Sequence, residues 1–341
     1  MSPYDELRRA IHRQASRPNV LPASPLKAAS QSHERLAGRQ VACVVMAGGL
    51  ATRLGASAPK GVMPFAPITG KPLLQLIAER VAAYGAKYAI PSRLAIMTSE
   101  ETDGPTRELF EQHRQFGVES VAFFVQSALP LLDMEEKPIL DAKGRPLTGP
   151  DGNGNLFRRL VESGILEKWS SVEAITIITV DNPLIDPLCP ALLLPIFDGA
   201  EATAGAVERA SPEEQVGLFV EEEGKIRVIE YSELDPSLRS QKDSSGQLLF
   251  RWANISAFGC SLPFVRRAAA LPMPLHAAKK SVNGQKVWKG EYFIFDALSA
   301  ARAVTLVPLN RSEAFAPIKD PDSFRAAQEA FRTTDHRYTQ A

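Results

Sequence analysis

Apolar residues first gather into a solid block at 41–46, "VACVVM". A continuous apolar run of that length is expected of a strand covered on both faces. Next, "KPLLQLIAERVAAYG" sets Leu73, Leu74, Ile77, Val81 and Tyr84 on one helical face, with Gly85 as a stop signal. "SRLAIMTS" and "VAFFVQ" read as strands on either side of a helical "PTRELFEQHRQFG". "NLFRRLVESGIL" reads as a helix before a further apolar strand, "AITIITVDN". Strands alternating with helices predict a mostly parallel sheet in an α/β domain.

After about residue 200 the texture changes. "VGLFVEEEGKIRVIEYSEL" holds two short β runs joined at "EEEGK", a hairpin signal whose acidic tip reads as solvated. "LLFRWANISAFGCS" is a further β run, "PFVRRAAAL" and "EYFIFDALSAARA" look helical, and "VTLVPL" closes as a strand. This adds a small antiparallel insertion or edge to the sheet. Before residue 39, "DELRRAIHRQ" fits a short amphipathic helix and "SRPNVLPASPLKAASQS" a Pro- and Ser-rich linker. A docked segment and a loose tail both fit that composition. The chain therefore divides into an extension over 1–38, a main domain over 39–320, and a C-terminal helix and frayed tail over 321–341.

Composition narrows the function classes. The 341 residues are 45% apolar and 23% charged, ordinary for a soluble globular protein with a sizeable core. Lys+Arg and Asp+Glu are both 39, so the basic excess of a nucleic-acid binder is missing. No apolar run is long enough to span a membrane, and the N-terminus lacks a signal-peptide core, so no membrane partner and a cytoplasmic location are expected. Cys43, Cys189 and Cys260 are isolated, without zinc spacing, which fits a reducing compartment.

The densest chemistry follows the first strand: Gly48, Gly49, Arg53, Gly55 and Lys60 within "AGGLATRLGASAPKG". Glycines let backbone approach a ligand closely, and successive N–H groups in such a turn make an anion-binding nest. Arg53 and Lys60 add charge suited to phosphate. Lys60 is followed by Gly61, so this is neither a Walker A loop nor the dinucleotide G-x-G-x-x-G pattern.

That segment resembles the signature of the eukaryotic-type UDP-sugar pyrophosphorylases, GG-x-x-T-R-L-G-x-x-x-P-K-G. It matches at Gly48, Gly49, Thr52, Arg53, Leu54, Gly55, Pro59, Lys60 and Gly61. Later segments resemble the family in the same order: "FFVQSALPLLD", "GPDGNGNLFRRL", "ITVDNPL", "VGLF", "VIEYSEL", "WANIS", "KGEYFIFDAL" and "FAPIKD". The likeness is nearest to its UDP-N-acetylglucosamine members, with "EYSE" pulling that way. It departs where the family often carries Asn-His and this chain has Ala257 and Phe258.

The resemblance implies a Rossmann-like nucleotidyltransferase sheet of the glycosyltransferase-A kind, with residues 39–320 as the catalytic domain. It implies uridylyl transfer from UTP to a sugar 1-phosphate, N-acetylglucosamine 1-phosphate favoured, with Mg²⁺ as cofactor. A UDP-glucose or broad UDP-sugar enzyme is the alternative, and a non-catalytic nucleotide-sugar-binding regulator is a further one. Residue by residue, it places Gly48, Gly49, Gln126, Gly152 and Asp181 on the nucleotide, with Asp181 also on the metal. Asn153, Gly217, Glu230, Tyr231, Asn254 and Lys289 fall on the sugar side, and Arg53, Lys60 and Lys319 at the phosphates. Read singly, Glu230, Lys289 and Lys319 would pass for surface charges, and Asp181-Asn182-Pro183 for a turn.

Overall fold

The apolar block forms β1 (Val41–Met46), and every residue in it is buried. Val41, Cys43 and Val45 enter one core cluster, while Ala42, Val44 and Met46 enter another. Period-2 alternation thus feeds two cores, one on each face of the sheet. A computed structural model of the chain describes residues 2–13, 20–25, 30–231, 233–282 and 284–334. Residues 335–341 of the expected tail, Gln14 at the end of the expected N-terminal helix, residue 15, and 16–19 and 26–29 of the expected linker lie outside the described residues.

The strands β2 (Arg93–Thr98), β3 (Ser120–Val125) and β4 (Ala174–Thr179) join β1 in the spatial order β3-β2-β1-β4, all parallel. The chain leaves β1 for β2 on one side and later returns to β4 on the other. That is the topological switch point at which open α/β sheets bind ligands, outside the strands' carboxyl ends. Helices α2 (Leu73–Tyr88), α3 (Glu100–Gln112), α4 (Leu156–Glu162) and α5 (Pro190–Phe197) flank this half.

Beyond β4 the ten-stranded sheet turns antiparallel. β5 (Ala202–Glu208), the hairpin β6 (Leu218–Glu222) and β7 (Lys225–Ile229), and β8 (Trp252–Ser261) make up this part. β8 runs antiparallel to β4, β5 and β6. The β6–β7 turn is carried by Glu223 and Gly224, both at positive φ, as a tight hairpin requires. After α6 (Leu262–Ala269), a separate hairpin forms from β9 (His276–Val282) and β10 (Gln285–Glu291). β11 (Val304–Pro308) then adds parallel to β5, and α7 (Pro321–Thr334) closes the described chain. No helix among the described residues is long and apolar enough to cross a membrane.

Several boundaries differ from the sequence expectation. α2 runs through Gly85 and ends at Ala89 in the left-handed region. Gly85 serves packing instead: a Cβ there would lie 2.9 Å from the Ile90 carbonyl of the returning chain. α3 begins at Glu100, not near Pro105, because Ser99 and Thr102 form a capping box. The helix expected over 155–166 is broken by Gly164 at φ +71°. The segment expected to be helical at 291–303 starts with the end of β10 and becomes a 3-10 helix over Ile294–Ala300. The N-terminal α1 (Pro3–His12) is docked, with Leu7 buried against Leu132 and Leu275.

Candidate active site

Three of the four parallel strands, β1, β3 and β4, deliver candidate site residues at their carboxyl ends. β1 opens into Gly48 and Gly49, and the loop folds back so that the Lys60 N–H meets the Gly49 carbonyl at 3.0 Å. β3 ends at Gln126, whose backbone N–H donates to the Thr98 carbonyl at 2.8 Å. The Gln126 carboxamide lies directly over Gly48: a Cβ at 48 would stand 2.8 Å from Cδ, Nε2 and Oε1. Gly49, in contrast, faces open space. Gln126 borders a cavity of about 390 Å³ lined also by Ser99, Glu101, Asp103, Ser127 and Gly149.

β4 delivers Asp181. Its Oδ2 stands 3.2 Å from Lys60 Nζ, and the same ammonium donates to the Ile318 carbonyl at 2.9 Å. The Ile318 N–H returns to the Asp181 carbonyl at 2.8 Å. One ion pair, one bond from the Lys60 ammonium to a backbone carbonyl and one backbone–backbone bond thus join the glycine-rich loop, the end of β4 and the late "FAPIKD" segment. Lys319 is exposed, and its Nζ reaches the Gln215 carbonyl at 3.3 Å. Arg53 stands exposed on the loop, on a 3-10 turn over Thr52–Leu54.

The antiparallel part holds a second group. Asn254 N–H donates to the Gly217 carbonyl at 2.8 Å, and a Cβ on Gly217 would lie 3.2 Å from Glu230 Oε1. β8 bulges between Asn254 and Phe258, with Ser256 at φ +54°. Such bulges re-aim side chains. Here the Ser256 N–H donates to Asn254 Oδ1 at 2.9 Å, so the Asn254 amide –NH₂ is the end left for a ligand. Burial first, and then the neighbouring Glu233 carboxylate, push the Glu230 pKa up; His276 and Lys319 oppose this. Tyr231 follows, half-buried, and Ser232 of that motif lies outside the described residues.

The "PDGNG" loop forms the remaining wall. Gly152 sits at φ +85°, and Asn153 Oδ1 accepts the Ile294 N–H at 3.0 Å. Asp151 is 1% exposed; its Oδ2 accepts from Asn155 at 2.7 Å while Oδ1 has no partner. Burial pushes its pKa up to about 6, against the hydrogen bond from Asn155 and the charge of Lys289. Lys289 pairs with Glu291 at 2.8 Å and packs beneath Gly149.

The structure therefore brings Lys60, Asp181 and the Lys319 segment together, sets Gln126 over Gly48, and groups Gly217, Glu230 and Asn254. It places Lys289 with Asp151 and Glu291 below the loop. Residues outside the sequence expectation include Asn182, Asp151 and Tyr292. Buried Asn182 holds the Ala314 carbonyl and the Ala316 N–H. Asp151 lies within "GPDGNGNLFRRL" and Tyr292 within "KGEYFIFDAL", but nothing local in either segment marks the residue itself. Among the described residues no cluster of three or more His, Cys, Asp or Glu could cage a metal. A single strand-end carboxylate does suit Mg²⁺, which takes one or two carboxylates with substrate phosphates and water.

A profile of the family described as UTP–glucose-1-phosphate uridylyltransferase matches residues 5–340. The chain belongs to that family. It is 33% identical over 335 residues to the human UDP-N-acetylhexosamine pyrophosphorylase-like protein 1, covering 88% of this chain and 65% of that one. It is 35% identical over 303 residues to Arabidopsis thaliana UDP-N-acetylglucosamine diphosphorylase 2, covering 81% and 60%. The chain thus spans somewhat less than two thirds of the length of these relatives. Among solved structures, the Trypanosoma brucei uridine diphosphate N-acetylglucosamine pyrophosphorylase in complex with an inhibitor superposes with a TM-score of 0.84 at 25% identity, covering 98% of this chain and 76% of that one. Membership agrees with the resemblance at the glycine-rich loop and with the mixed α/β sheet.

Proposed function

We propose that the chain is a uridylyltransferase that makes UDP-N-acetylglucosamine and pyrophosphate from UTP and N-acetylglucosamine 1-phosphate. The observation that carries the reading is the junction of Lys60, Asp181 and the Ile318–Lys319 segment at the switch point, on the glycine-rich loop that also sets Gly48 under Gln126. An oxygen of the sugar phosphate attacks the α-phosphorus. The bond from that phosphorus to the bridging oxygen breaks in line, and pyrophosphate leaves with the charge. The attacking phosphate is already ionised, so no protein nucleophile and no covalent intermediate are required. Positioning and preorganised charge do the catalysis.

Gln126 offers uracil a donor and an acceptor, which suits its place over Gly48. Arg53 and Lys60 take up triphosphate and pyrophosphate charge. Lys60 exchanges its Asp181 partner for phosphate as the nucleotide enters, which frees the carboxylate. Asp181 is the residue that would hold Mg²⁺, which supplies charge neutralisation across the phosphate oxygens. Glu230 accepts from sugar hydroxyls, and the –NH₂ groups of Asn254 and Asn153 donate to the sugar or its acetamido carbonyl. Lys319, whose charge reaches Glu230, is the candidate cation for the sugar phosphate.

A panel of sugar 1-phosphates with UTP and Mg²⁺, read by pyrophosphate release, tests this. N-acetylglucosamine 1-phosphate is expected to give the highest kcat/KM. A higher value for glucose 1-phosphate would overturn the specificity. Nucleotide binding with no pyrophosphate from any sugar phosphate would leave a non-catalytic binding protein.

A further inference from the structure

We propose that Tyr292 is a positioning residue for the sugar side of the site, aiming Asn153 through the backbone of the 151–154 loop, and that Glu6 of α1 fixes it there. This rests on the reading of Asn153 given above. Tyr292 grips the loop from both sides: its N–H donates to the Asp151 carbonyl at 2.8 Å, and its carbonyl accepts the Gly154 N–H at 2.9 Å. The fit has no slack. A Cβ at Gly152 or Gly154 would lie 2.5 Å from the Tyr292 carbonyl oxygen or Cβ. Two residues on, the Ile294 N–H holds Asn153 Oδ1. Only an oxygen can accept that bond, so the Asn153 –NH₂ is the end left for a ligand. Wherever the Tyr292–Ile294 segment moves, the Asn153 amide moves with it.

The far end of the Tyr292 side chain is anchored on another element. Its hydroxyl donates to Glu6 Oε1 at 3.0 Å. Burial and the Glu6 carboxylate both raise the phenol pKa, so the hydroxyl stays a donor. α1 is itself held by Leu7 against Leu132 and Leu275, by Arg8 donating to the Glu136 carbonyl at 3.1 and 3.2 Å, and by His12 beside the Glu136 carboxylate at 2.9 Å. A phenylalanine would fill the same volume without the tether. The tyrosine hydroxyl therefore ties the N-terminal helix to the segment that grips the 151–154 loop, across a sequence separation of 286 between Glu6 and Tyr292.

Tyr292→Phe, Glu6→Ala and Glu6→Gln in the full chain test this by two readouts. By hydrogen exchange, the amides of Gly154 and Tyr292–Ile294 are expected to exchange about tenfold faster in Tyr292→Phe and Glu6→Ala, as loss of one charge-assisted bond implies. Those of residues 44–50 should be unchanged, and Glu6→Gln, which keeps an acceptor, should stay near wild type. In kinetics, the first two variants should raise KM for N-acetylglucosamine 1-phosphate about fivefold and leave KM for UTP and kcat within about twofold. Their double variant should be no worse than either single one. Unchanged exchange at 151–154 overturns the inference, and so does an equal change in both KM values. A wild type without activity counts against the proposed reaction alone, since the exchange readout still decides the role of Tyr292.

Discussion

Gly48→Ala probes the nucleotide pocket with a single methyl group. The new Cβ would stand 2.8 Å from three atoms of the Gln126 carboxamide, where ordinary contact begins at 3.4 Å. The carboxamide must therefore retreat by the difference, roughly 0.6 Å, or swing away. A hydrogen bond stretched that far from about 2.9 Å no longer meets bonding geometry. On the proposed function Gln126 offers two such bonds to uracil, and their loss then amounts to about 1–3 kcal/mol, or roughly 5- to 150-fold in affinity. The fold should hold, because Gly48 is not among the positive-φ glycines and the clash is with the far end of a flexible side chain. Titration calorimetry with UTP, alongside thermal melts, is the assay. Affinity should fall by one to two decades with Tm nearly unchanged. Gln126→Ala should lose about as much, and the double variant little more, since both remove one group. Unaltered UTP affinity in Gly48→Ala, or full additivity with Gln126→Ala, would refute the placement of Gln126 on the base.

The other predictions rest on charge. Lys60→Ala should keep the fold and lower kcat by about 10²–10³, judged by other preorganised electrostatic contacts; normal turnover would remove Lys60 from the phosphate chain. Asp151, with its folded pKa near 6 against an unfolded 3.8, binds more protons folded than unfolded between those values, so stability falls as pH rises through that window. Denaturation at pH 4 and pH 7 should show wild type losing up to about 3 kcal/mol more than Asp151→Asn, and equal losses would contradict the buried acid. Glu230, with its raised pKa, should release UDP-N-acetylglucosamine as pH falls through that value. The ligand's diphosphate bridge does not titrate there, so Glu230→Gln should flatten the calorimetric pH profile; an unchanged profile would place the titration elsewhere.

The nucleotide half of the molecule was legible because its logic is local. "VACVVM" can only be a doubly covered strand, and glycines with an arginine and a lysine after it have few other uses. The hairpin tip at Glu223-Gly224 was legible for the same reason. β5 was not: "ATAGAVE" is all small residues, which carry no apolar period, yet six of its seven positions are buried. Small side chains are needed because neighbouring backbone comes close, as at Gly205, where a Cβ would lie 3.3 Å from the Ala257 carbonyl. Gly85 misleads in a similar way. A glycine near the end of a periodic segment reads as a stop, but it answers to Ile90, a contact no periodicity encodes. Lys289 was visible as a motif lysine and its setting was not, since Glu291 and Asp151 reach it only once β10 lies under the loop.

The same division runs through the site. Gly48, Gln126 and Asp181 follow three strands, β1, β3 and β4, of one parallel set, so their spacing follows from the sheet and requires no other part of the chain. The proposed sugar side is assembled from a β8 bulge, a β6–β7 hairpin, a separate hairpin and α1, pieces joined by a few hydrogen bonds each. Changes in the second group alter where a donor points without disturbing the first. On the proposed function, sugar choice can therefore vary over a constant nucleotide pocket. The two halves share the β4–β8 ladder, and Lys60, Asp181 and Ile318 add a cross-tie from the glycine-rich loop; loss of the ammonium group would free that loop from the tie while the Ile318 N–H still bonds the Asp181 carbonyl.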